Sequence, residues 1–303
     1  MSTALTISGV SKTFKTGFIP KKIVALENIS LEVEQGEIFG LLGPNGAGKT
    51  TAIKCILSLI RPDSGTIELL GSPIPSSRAK SRIGFLSENP YVYDFLSGRE
   101  YLRFSARLYG NDSATTEKRV NEMLALFHME EAADRQLKKY SKGMLQRIGL
   151  AQALINNPDF LILDEPMSGL DPVGRKEVRD LMIDLKSKGH TILFSSHILS
   201  DAELICDRVA ILVRGKLQMT GSVQSLIKKI EAYEMTIVSQ SAPLFNGIPH
   251  EIIARSESQY LLKVPSIEEV HAILALSASQ HFAIESIVPQ RKTLEQLYLG
   301  QIK

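Results

Sequence analysis

The sequence predicts an α/β fold in which a parallel-sheet core carries an inserted helical block, followed by a small separate α+β domain. Three features point there. Short apolar runs alternate with helical segments on either side of residues 90–157, the order that strand–helix–strand units produce. Within 90–157 the apolar positions fall mainly at three- and four-residue spacing, so a helical subdomain interrupts the alternation. After Gly221 the texture changes to short strands and helices, enough for a domain of about 80 residues. The expected division is therefore 1–221 and 222–303.

The elements follow in order. Leu5 to Val10 and Ile29 to Val33 alternate apolar with polar residues, as half-buried strands do. Ile38 to Leu42 is continuously apolar after the turn at Gly36-Glu37, which suits a strand buried on both faces. From Lys49 the period changes: Ile53, Ile56, Leu57 and Ile60 predict a helix up to Ile60, stopped by Arg61-Pro62. Helices are expected over Tyr101–Leu108, Val120–Phe127 and Ser141–Asn157, the last closed by Pro158. Strands are expected at Phe160–Leu163, Thr191–Phe194 and Val209–Val213, with helices over Gly174–Lys188 and Leu199–Cys206. Past Gly221 come a helix over Ser222–Ile230, strands near Glu234–Val238, Glu251–Ala254 and Gln259–Val264, a helix over Ser266–Leu276, a strand over Phe282–Ile287 and a last helix from Thr293.

Composition removes several classes. At 303 residues, 44% of them hydrophobic and 22% charged, the chain can bury sizeable cores. Its 35 basic and 33 acidic residues leave a net charge of +2, which argues against nucleic-acid binding through bulk positive charge. No apolar run approaches the ~18 residues that cross a bilayer, and the N-terminal segment lacks the apolar core of a signal peptide. Cys55 and Cys206 cannot by themselves build a disulfide framework or a zinc site. The expected location is the cytoplasm, with any membrane work done by docking on another protein.

The sharpest motif is Gly43-Pro-Asn45-Gly46-Ala-Gly48-Lys49-Thr50, which satisfies G-x-x-x-x-G-K-[ST] between an apolar strand and a helix. Glycines let such a loop point consecutive N–H groups at phosphate oxygens, and the helix N-terminus adds positive dipole. Lys49 would reach the β- and γ-phosphates, and the Thr50 hydroxyl would ligate Mg²⁺. A second motif, Phe160-Leu-Ile-Leu-Asp164-Glu165-Pro166, sets adjacent carboxylates at the end of a buried strand, the edge at which α/β sheets bind ligands. Asp164 suits the Mg²⁺ shell, and Glu165 could polarise an attacking water.

These two motifs define a phosphate-loop NTPase and no more. The stretch Tyr140-Ser141-Lys142-Gly143-Met144-Leu145-Gln146-Arg147 resembles the L-S-G-G-Q signature of ATP-binding cassette (ABC) ATPases. Ser168-Gly169-Leu170-Asp171 is similar to that family's D-loop, His197 to its switch histidine, and Phe14 to the aromatic that stacks on adenine. In order and spacing these motifs cover roughly residues 4–220. The closing Thr-Leu-Glu-Gln-Leu-Tyr-Leu resembles the final helix of drug- and antibiotic-exporting cassettes.

The resemblance implies a P-loop NTPase core with an antiparallel β subdomain and an inserted helical subdomain. It implies that Gly43, Asn45, Gly46, Gly48, Lys49, Thr50 and Thr51 hold phosphates and metal, with Glu165 as general base and His197 ordering the γ-phosphate. It also implies a homodimer or paired cassette, because the helix headed by Ser141 and Gly143 would cap the nucleotide of another copy and Asp171 would contact the opposite loop. ATP and Mg²⁺ are the expected ligands. An integral membrane permease is the expected partner, with this chain peripheral on the cytoplasmic face and export as the direction. The alternative within the family is a soluble ATPase acting on nucleic acid or ribosomes. The single cassette and the lack of heptads between the motifs count against it, and no direct nucleic-acid contact is expected. A small-molecule kinase would leave the signature and His197 without a role.

Three positions depart from the family pattern, among them Met144, which replaces the glutamine of the signature. Glu88 stands where a metal-binding glutamine is usual, with Asn89 as an alternative amide. Lys142 replaces a glycine, either adding charge near the phosphate or pointing to solvent. The aromatic run Tyr91, Tyr93 and Phe95 is either local core or a groove for a helix of the membrane partner.

Overall fold

A computed structural model describes residues 2–16, 21–89, 93–227, 230–239, 244–245, 247–256 and 258–301. In chain order its elements begin with strands β1 (Thr3–Thr16), β2 (Lys21–Glu34) and β3 (Ile38–Leu42), then helix α1 (Lys49–Ile56). Strands β4 (Ser64–Leu69) and β5 (Ser72–Pro73), the short helix α2 (Ser77–Lys80) and strand β6 (Ile83–Leu86) follow. Next are helices α3 (Gly98–Leu108), α4 (Ser113–Leu126) and α5 (Lys142–Leu154). The alternation resumes with β7 (Phe160–Leu163), α6 (Pro172–Ser187), β8 (Thr191–Ser196), α7 (Leu199–Ile205), β9 (Arg208–Val213), β10 (Lys216–Ser222) and the short α8 (Val223–Leu226). The last group is β11 (Ile230–Val238), β12 (Glu251–Arg255), β13 (Gln259–Val264), α9 (Ile267–Gln280), β14 (Ala283–Arg291) and α10 (Leu294–Gln301).

The chain divides into two compact units, Met1–Val223 and Gln224–Lys303. The first holds a six-stranded sheet ordered β10-β9-β3-β8-β7-β6, parallel except at the β10 edge, and a four-stranded antiparallel sheet ordered β2-β1-β4-β5. Every residue of β3, β7 and β8 is buried, as strands covered on both faces must be. Leu5, Ile7, Leu26 and Ile29 of the antiparallel sheet share one core with Ile53 and Ile56 of α1 and with Phe39 and Phe160 of the parallel sheet. Helices α3, α4 and α5 pack on one another as the helical subdomain, and α5 also rests on β6.

The second unit is an antiparallel sheet ordered β12-β13-β11-β14. Met235, Ile237, Leu262 and Val264 form its core with Val270 and Ile273 of α9.

Three helices are shorter than the periodicity predicts, α5 among them, since it closes at Leu154 instead of Asn157. α1 ends at Ile56, because Ser58 adopts a left-handed φ of 57° and the Leu59 and Ile60 N–H groups both turn back to the Lys54 carbonyl in place of the helical partners four residues earlier. The predicted helix over Ser222–Ile230 is reduced to α8, with Ser222 closing β10 and Ile230 opening β11.

Candidate functional site

Strands β3, β8 and β7 lie side by side and point the same way, so the loops leaving their C-terminal ends converge. Leu42 is in register with Ser196, and Leu163 with Phe194. From Leu42 the glycine loop turns into α1. Gly43 has φ 150°, and a Cβ there would collide with the Leu212 carbonyl oxygen. Gly48 has φ 108°, and a Cβ there would collide with the carbonyl of Ala25. The Gly43 N–H donates to the Ser196 carbonyl at 3.2 Å, fastening the loop to β8. Gly48 is the N-cap of α1 and gives no side-chain cap. The first-turn N–H groups, those of Lys49, Thr50 and Thr51, therefore look for an acceptor outside the helix. Asn45 and Gly46 stand exposed at the loop tip.

The charged groups meet beneath this loop. Lys49 is only 6% exposed and its Nζ donates to the Gly43 carbonyl at 2.7 Å and the Pro44 carbonyl at 3.3 Å. It also lies 3.2 Å from Glu165 Oε1, while Glu165 Oε2 is 2.9 Å from His197 Nδ1. Glu165 is 7% exposed with a left-handed φ of 50°, a conformation that costs about 1–3 kcal/mol in a non-glycine residue. Its Oε1 is at ion-pair distance from Lys49 without hydrogen-bond geometry, leaving a buried acceptor unsatisfied. That is the acceptor a positioned water would need.

Ser195 orders the carboxylates. Its Oγ donates to Asp164 Oδ1 at 2.6 Å and accepts the Glu165 N–H at 2.9 Å. Motif reading passed over this serine. The signal available is the polar pair Ser195-Ser196 following the apolar run Ile192–Phe194 in a fully buried strand.

The remaining predicted residues fall elsewhere. Ser141 caps α5, its Oγ accepting the Met144 N–H at 3.3 Å, and Asp171 caps α6, accepting the Gly174 N–H at 2.8 Å. With Gly143, Gly169 and Leu170 they line a cleft of about 790 Å³ to which Lys49, Glu165 and His197 do not contribute. Lys142 is exposed and its side chain lies across Gly169, where any Cβ would collide with it. Glu88 is exposed two residues beyond Leu86, whose carbonyl accepts the Asp164 N–H at 2.8 Å. Phe14 is half-buried on β1, opposite Ile23, with the Lys12 ammonium 5.7 Å from its ring centre.

Tyr91 lies outside the described residues. Its neighbours form an exposed aromatic cluster: the Tyr93 ring is 5.9 Å from Phe95 and 5.5 Å edge-on from Phe104. Beneath it Tyr101 is buried, and burial, with Tyr93 adding to it, pushes its phenol above the usual range.

The strand order and the loop after β3 make this a phosphate-loop nucleotide-binding protein. Residues 26–168 match the ABC transporter family. The chain is 49% identical over 299 residues to an ABC transporter ATP-binding protein of Nostoc sp., covering 98% of this chain and 89% of that one. It is 40% identical over 206 residues to a Nod factor export ATP-binding protein of Cupriavidus metallidurans, covering 67% and 68%. A solved ATP binding subunit of an ABC transporter is similar with a TM-score of 0.65 at 32% identity, over 74% of this chain and 91% of that one. The chain belongs to the ATP-binding proteins of ABC transporters.

Proposed function

We propose that this subunit hydrolyses Mg-ATP with Glu165 as general base, in a pair of cassettes that powers a separate membrane permease. The observation that carries it is the buried Glu165 carboxylate, with Oε2 on His197 and Oε1 beside the phosphate-loop lysine yet without a hydrogen-bond donor. A water donating to that oxygen would be held for in-line attack on the γ-phosphorus. Glu165 takes the water's proton as the bond to the β-phosphate oxygen breaks. Lys49 trades its loop carbonyls for phosphate oxygens, and the free N–H groups of α1 hold the rest of the triphosphate. Phe14 stacks on the adenine. His197 then bonds the γ-phosphate and holds Glu165 in place.

The Thr50 hydroxyl and Asp164 are the residues that would hold Mg²⁺, with Glu88 the further candidate. Hard oxygen donors, few in number, fit an ion that keeps phosphates and waters as its other ligands. When bound, Mg²⁺ neutralises charge developing on the phosphates.

Ser141, Gly143 and Asp171 line a cleft apart from Lys49, so we assign them to the nucleotide of a second copy. No helix among the described residues is long and apolar enough to cross a membrane. The exposed Tyr93, Phe95 and Phe104 suit a short helix of the permease, which would hold the subunit on the cytoplasmic face. Likeness to a Nod factor export protein favours export. To Gln224–Lys303 we assign an accessory, regulatory role.

Phosphate release from Mg-ATP by the purified chain is the test. Release that stops with a chelator and in Glu165→Gln is expected; undiminished release by Glu165→Gln would overturn the assignment of the base.

A further inference from the structure

Helix α5 and the turn after β7 meet through one buried bond. Gln146, 4% exposed, donates from Nε2 to the Pro166 carbonyl at 2.6 Å. Pro166 directly follows Glu165, and Gln146 is on the helix that Ser141 caps. On its other flank the N-terminal half of α5 is separated from α6 by the 790 Å³ cleft. The ion pair across that cleft, Arg147 Nη2 to Glu177 Oε2 at 2.6 Å, is solvent-exposed and fixes little. Where packing is incomplete, a directional bond sets orientation.

The receiving end is sensitive. Glu165 directly precedes this proline and is held at a left-handed φ of 50°, a sparsely populated conformation for a non-glycine residue. A small movement of the Pro166 peptide therefore re-aims the carboxylate between Lys49 and His197.

We propose that Gln146 is a positioning residue that passes the orientation of the Ser141-headed helix to the Glu165 carboxylate. The inference rests on the cassette pairing proposed above. In such a pair the head of α5 serves one nucleotide and Glu165 serves the other. Gln146 then lets occupancy of one pocket set hydrolysis in its twin.

Two variants of the full chain test this. Gln146→Met keeps the length of the side chain and removes the donor. Gln146→Glu keeps its shape and donates only when protonated. For the folded Met variant, kcat is expected to fall about tenfold or more while the ATP Kd stays within about twofold of wild type. The Hill coefficient for ATP should drop toward one. Gln146→Glu should show the same loss at alkaline pH and regain activity, relative to wild type, as pH falls. Unchanged kcat and cooperativity in the Met variant, or a wild-type pH profile in the Glu variant, would overturn the role. If Gln146→Met does not fold, the pH profile of Gln146→Glu decides. A wild type with no cooperativity overturns the pairing itself, whereas a cooperative wild type with unaffected variants overturns Gln146 alone.

Discussion

Lys49 and Glu165 form a buried ion pair, Nζ to Oε1 at 3.2 Å, so the lysine proposed to receive phosphate already has an anionic partner within the chain. Binding must exchange one anionic partner for another.

Glu165→Gln removes that competitor. Its ATP Kd is expected to fall by about tenfold, or ~1.4 kcal/mol, while kcat drops by ~10² or more as the base is lost. Equilibrium binding and single-turnover hydrolysis measure the two separately. Weaker ATP binding by this variant would contradict the exchange.

Ser195→Ala breaks the bridge between Asp164 and the Glu165 N–H. Both partners are buried, so the loss should cost about 1–3 kcal/mol, seen as a fall of several degrees in Tm. The Mg²⁺ concentration needed for half-maximal activity should rise, because Asp164 is no longer oriented. An unaltered Tm would count against the bridge.

His197→Ala takes away the group 2.9 Å from Glu165 Oε2. A kcat loss of about 10²-fold is expected with an ATP Kd within about threefold of wild type. Steady-state rates and binding isotherms report this. A loss confined to binding would assign His197 to substrate capture instead.

Much of this site could be read from the chain alone, and the reasons are physical. Residues Gly43 to Thr50 announce a phosphate loop because only glycines fit beneath the Leu212 and Ala25 carbonyls. Asp164 and Glu165 stand out because paired carboxylates at the end of an apolar run demand a partner. Ser195 and Gln146 were not legible. Each works through hydrogen bonds to residues distant in sequence, two for Ser195 and one for Gln146, and the local hint at Ser195 is no more than a polar pair closing a buried strand. Early termination of α1 was equally hidden, since the apolar period continues to Ile60 while the backbone turns at Ser58. For Lys142 the sequence allows two directions, toward phosphate or toward solvent, and what decides is a tertiary neighbour, Gly169, over which the side chain lies.

The aromatic cluster gives a different kind of expectation. Phe95 and Phe104 are 63% and 40% exposed, and substitutions at such positions usually change stability by within about 0.5 kcal/mol. Phe95→Ser with Phe104→Ser should leave the ATPase of the isolated chain within about twofold of wild type. Co-purification with the permease, and stimulation by it, should be lost. Retained permease binding would return these rings to a purely local role.

The most direct measurement is the mass of Glu165→Gln in solution with Mg-ATP, by light scattering on a sizing column. Doubling of mass with ATP, absent with ADP and abolished by adding Ser141→Arg, is the expected result. A single-chain mass at saturating Mg-ATP, alone and with the permease, would contradict a nucleotide site completed by a second copy.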